Sequence, residues 1–136
     1  SAQETTWENA FFRRWIEDIE PTISKPTFVH SWPASQAALA QVRTDGIWPT
    51  AQRFEVFFNG IELGNAFLEV VDSAEQRSRF AEEQAKQIER SIAVHPIDHG
   101  LCDAVGAMPP TSGIAIGFDR LVALLAGSDG LDGFAL

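Results

Sequence analysis

The chain has 136 residues, 45% of them hydrophobic, with ten Phe and four Trp, which suffices for one packed domain and argues against global disorder. Nineteen acidic residues against ten Lys and Arg give a formal charge of −9, a poor balance for unaided binding to nucleic acid. A single Cys excludes an internal disulfide, and no apolar run approaches the roughly 18 residues of a membrane helix, so a cytoplasmic setting and no membrane partner are expected.

In chain order, "TTWENAFFRRWIEDI" predicts a helix with an apolar stripe of Phe11, Phe12, Trp15, Ile16 and Ile19, ended by Pro21. "PTFVHSWP" predicts a short strand over 27–32. "ASQAALAQV" suits one or two helical turns, and "RTDGIWPTAQ" a loop. Residues 54–71 read as a hairpin about Asn59-Gly60, the pair that best supplies the two positive φ angles of a type I′ turn. Ser73 and Gln76 form a capping-box pattern for a charged, solvated helix to about residue 90. Asp98 is placed to cap a short helix through Val105. "GIAIGF" predicts a strand running into the helix "DRLVALLAG", closed by Gly127. Helices around mostly antiparallel strands give an α+β class within a single domain over 1–136.

The hairpin carries an anomaly. With Asn59-Gly60 as the loop, Phe54, Val56, Phe58, Ile61 and Leu63 share one face, expected to be the core. Beyond Leu63 the apolar residues change parity to Ala66, Leu68 and Val70. A β-bulge near Gly64-Asn65 restores the phase and gathers Glu55, Glu62, Asn65, Phe67 and Glu69 on the other face. Such a face is either a solvated surface or, with three acids, no Lys and two Phe walls, a site for a divalent cation or an amine. Gly113 and Gly117, in a strand that opens a helix bearing Arg120, mark the close approach of a ligand or another backbone. His30, His95, His99 and Cys102 lack metal-ligand spacing and read as structural, as do Trp32 and Trp48 as packing anchors.

"GIAIGFDRL" resembles the third signature motif of class II aminoacyl-tRNA synthetases, Gly-x-Gly-x-Gly-x-Asp-Arg, with Ala115 at the central glycine. "RFEVFFNGIELGNAFLEVVDSAEQRSRF" resembles the lysyl branch of that class. Ala115 and the stretch "HSWPASQAALA" are similar to the short lysyl-tRNA synthetase paralogues that activate (R)-β-lysine with ATP and attach it to a lysine of translation elongation factor P. The resemblance implies the C-terminal part of a class II synthetase-like catalytic domain, an antiparallel sheet flanked by helices. It further implies Glu55 and Glu62 as carboxylates holding Mg²⁺ on ATP, and Gly117 and Arg120 at the ATP, Arg120 in a catalytic role. Asn65 and Glu69 would contact the amino-acid carboxylate and side-chain ammonium, with Ala115 and Gly117 lining that pocket. Ala66 and Leu68 depart from the family pattern and would reshape it. Motifs 1 and 2 are not found, so the chain is expected to be part of a longer, homodimeric enzyme, itself inactive, with elongation factor P rather than tRNA as acceptor. The alternatives are the C-terminal part of a true lysyl-tRNA synthetase and a non-catalytic module that retains the fold.

Overall fold

The computed structural model describes residues 6–128. Thr6 caps the first helix, α1 (Trp7–Arg14), its Oγ1 accepting from the Asn9 backbone at 3.2 Å. The helix does not run regularly to Pro21. It loosens into a π-helical turn (Trp15–Ile19) and then a single 3₁₀ turn (Glu20–Thr22), with Pro21 inside that turn, where its missing N–H costs little. Strand β1 (Thr27–His30) ends at Ser31, whose φ of 59° turns the chain out of the ladder. One 3₁₀ turn (Ala34–Gln36) follows. The predicted loop then contains a small antiparallel pair, β2 (Val42–Arg43) and β3 (Thr50–Ala51). Two-residue strands carry too short a pattern to be seen in sequence.

The hairpin is β4 (Arg53–Phe58) and β5 (Ile61–Leu68), with Asn59 and Gly60 at φ 50° and 69° as a type I′ turn requires. Helix α2 (Ser73–Glu89) is capped by Asp72, whose Oδ1 accepts from the backbones of Ala74 and Glu75. Helix α3 (His99–Gly106) is capped by Asp98, as expected. Strand β6 (Ser112–Ile116) leads into α4 (Phe118–Leu125), which ends at Gly127 with φ 69°. The main sheet has the order β1-β4-β5-β6, and the class is α+β.

The chain divides into two compact units. The first holds residues 6–30, 54–66 and 114–128; the second holds 31–53 and 67–113. In the first unit the face expected to be core proves the less covered one. Phe54, Val56 and Phe58 are half-buried, whereas Phe57 is 1% and Glu55 5% exposed. The cause is Trp15, which meets Phe57 edge-on at 5.7 Å; alternation defines two faces but not which one a helix will cover. In the second unit Trp32, Ala37, Ala40, Ala51, Val70 and Cys102 are buried, and α2 packs on α3. Trp32 is thus the anchor expected, but Trp48 is 77% exposed and anchors nothing. Among the described residues no helix is long and apolar enough to cross a membrane.

Candidate functional site

The bulge can be checked by counting along the hairpin. The type I′ loop sets Phe58 opposite Ile61. Farther out, the Leu68 backbone donates to the Gln52 carbonyl at 2.9 Å. Six steps along β4 therefore match seven along β5, which holds one extra residue. Asn65 Nδ2 donates to Glu55 Oε1 at 3.3 Å, so these side chains share a face and the extra residue lies at or before Asn65. Gly64 fits that place: a Cβ there would stand 3.0 Å from the Ala115 carbonyl oxygen, tighter than an ordinary contact. The phase shift is what moves Asn65 to the face of Glu55.

On the other side, the Gly117 backbone donates to Leu63 O and the Glu69 backbone to Thr111 O, each at 2.9 Å. Counting between these bonds sets Asn65 opposite Ala115, two residues that the motif resemblance gives to one pocket. Glu55 is the most telling of the group. Its carboxylate is buried, and burying a charge costs several kcal/mol unless hydrogen bonds or a cation compensate. A solvated outer face does not describe it.

Glu62 and Arg120 lie together in the first unit. Arg120 Nη1 donates to the Glu62 backbone carbonyl at 2.8 Å, and both residues line a cleft of about 380 Å³ with Glu20, Gly60 and Ser128. That bond tethers one end of the guanidinium, which carries five donors in all. Gly117 sits beneath it: a Cβ there would be 3.2 Å from Arg120 Cδ. Among the described residues no three His, Cys, Asp or Glu side chains cluster as a metal centre. Two hard carboxylates nonetheless fit Mg²⁺, which takes one or two protein oxygens and completes its shell from waters and phosphates.

Glu69 belongs to the second unit. Its backbone is held by Thr111 O, by Gln41 Nε2 donating to its carbonyl at 2.9 Å, and by a bridge to Ala40. In the same unit Arg53 stands 4.9 Å from the centre of the Trp32 ring and 5.7 Å from that of Phe67, and donates to Gln36 O at 2.9 Å. Arg53, Gln41 and Glu20 escape a reading of the sequence. Only the aromatic partners of Arg53, Trp32 and Phe67, carry a signal, and they are distant in sequence. His99 Nδ1 pairs with Arg77 Nη1 at 2.7 Å and Cys102 is fully buried, in keeping with structural roles.

The family profile for tRNA synthetases class II (D, K and N) matches residues 7–133. The chain belongs to that family. Full-length class II synthetases are ATP-dependent aminoacyl ligases that form aminoacyl-adenylates and generally use ATP and Mg²⁺.

Proposed function

We propose that this class II chain is the motif 3 part of a ligase specific for a lysine-type amino acid. The substrate is lysine or (R)-β-lysine. In this reading the amino-acid carboxylate attacks the α-phosphate of ATP, pyrophosphate leaves, and the adenylate acylates an amine on elongation factor P. Ala115 at the central motif 3 glycine and the stretch 30–40 favour that acceptor over tRNA. The natural enzyme would act as a cytoplasmic homodimer.

The observation that carries the reading is the buried Glu55 carboxylate bonded to Asn65. A carboxylate kept out of water is suited to a cation, and the neighbouring amide to a polar ligand group. Glu55 and Glu62 would hold Mg²⁺, which when bound neutralises phosphate charge and orients the triphosphate. Arg120, tethered through Nη1 to the Glu62 carbonyl, would offer its remaining donors to phosphate oxygens or its face to the base, over Gly117. Asn65 would hold the amino-acid carboxylate beside Ala115. Glu69 would pair with the side-chain ammonium. Of the three amino acids in the family description, only lysine carries a cation; aspartate would set charge against Glu69, and asparagine would leave it unpaired.

Amino-acid-dependent ATP–pyrophosphate exchange by the natural gene product tests this. Exchange is expected with lysine or (R)-β-lysine and not with aspartate or asparagine. Exchange with aspartate or asparagine alone would overturn the assignment of Glu69.

A further inference from the structure

The geometry points to Gly113 as the residue that makes room for the Glu69 carboxylate, and so as a specificity-determining position for the amino acid. The idea rests on the reading of Glu69 as the ammonium partner. Sequence alone assigns Gly113 to the close approach of a ligand or a backbone. The structure puts a side chain there instead: a Cβ on Gly113 would stand 3.0 Å from Glu69 Oε1, and among the described residues, its chain neighbours aside, no other heavy atom comes within 4 Å of it. That distance is tighter than an ordinary carbon–oxygen contact, so with a side chain at 113 the Glu69 carboxylate must give by a few tenths of an ångström.

Two further facts make this a seat rather than a chance contact. The Glu69 backbone is fixed from both sides, by Thr111 O just ahead of β6 and by Ala40 and Gln41 on the opposite flank. A methyl on Gly113 therefore cannot be relieved by sliding the strand; the carboxylate itself must swing. The other two close approaches in the sheet and motif are of a different kind. At Gly64 the obstacle is a carbonyl of the ladder, and at Gly117 it is the stem of Arg120. Only at Gly113 does an added methyl strike the tip of an acid proposed to read the substrate. Gly113 also lies outside the positive-φ set, so alanine there meets no backbone strain.

The test is Gly113→Ala, in two measurements. In a crystal structure of the variant chain, the Glu69 carboxylate should be displaced by a few tenths of an ångström or more, enough to lengthen a hydrogen bond made from the original position, with the β5 backbone unmoved. In pyrophosphate exchange by the natural gene product, the amino-acid KM should rise about tenfold and the ATP KM by less than about twofold, a split that general destabilisation does not produce. Glu69→Asp shortens the acid and relieves the overlap, so its effect and that of Gly113→Ala should be far from additive. An unmoved carboxylate, an unchanged amino-acid KM or equal losses for both substrates would overturn the role of Gly113. A displaced carboxylate, with a wild-type enzyme that ignores lysine and (R)-β-lysine, would sustain the seat and sink the substrate assignment.

Discussion

At the scale of single residues, the proposed reading gives three carboxylates different work, and the surroundings of each differ. Glu55 is buried against Asn65; Glu62 lines an open cleft and lends its backbone to Arg120; Glu69 rests over Gly113 in the other unit. Substitutions that keep shape and remove charge should therefore give a crossed pattern. Glu69→Gln should raise the amino-acid KM at least about tenfold, roughly 1.4 kcal/mol, and the ATP KM much less. Glu55→Gln should do the converse, raising the ATP KM about tenfold at limiting Mg²⁺, with partial recovery as Mg²⁺ is increased. Steady-state exchange kinetics on both variants would decide the matter. Equal losses in both constants for either variant would reduce that acid to a structural part of the sheet. The identity of these acids was legible in the sequence through their parity on a strand. The burial of Glu55 was not, because alternation marks the two faces of a strand without saying which one is covered; Phe57, on the same face, meets Trp15 from a segment about forty residues away.

At the scale of elements, the hairpin shows both what a sequence pattern determines and where it stops. Asn59-Gly60 fixes the turn, and the parity change after Leu63 signals the extra residue that the ladder contains. The choice of covered face came out reversed in the first unit, since Phe54, Val56 and Phe58 look as apolar as any core row. The small β2–β3 pair was missed because two-residue strands carry too short an alternation to read. Gly64 gives the element-scale prediction. Gly64→Ala drives a methyl against the Ala115 carbonyl, which belongs to the ladder and cannot rotate away. The variant should lose about 1–3 kcal/mol, a fall in melting temperature of several degrees, and should weaken binding of both substrates. Thermal unfolding checks it. A variant as stable as wild type would mean that the strands part there without cost, and that the phase shift does not depend on glycine.

At the scale of the whole molecule, charge bears on the choice between two acceptors that the fold alone leaves equal. A class II catalytic domain can pass its aminoacyl group to tRNA or to another amine. Nucleic-acid affinity comes largely from Lys and Arg that displace counterions, and each phosphate contact adds close to one unit to the salt slope. Here ten basic residues face nineteen acidic ones. Several of the ten are already engaged within the described residues: Arg14 with Asp18, Arg43 with Asp45, Arg77 with Asp103 and Arg79 with Glu75. A basic stripe able to follow a phosphate backbone has little left to be built from. The chain should therefore bind tRNA no more tightly than about 10⁻⁴–10⁻⁶ M near 0.15 M salt, the non-specific range, with a shallow dependence on salt. Filter binding or fluorescence anisotropy across a salt series measures both quantities. Nanomolar affinity, or a steep slope indicating many phosphate contacts, would favour a true lysyl-tRNA synthetase over the protein-modifying ligase. Weak binding with a shallow slope, together with lysine-dependent exchange, is the combination that an enzyme directed at a protein amine should show.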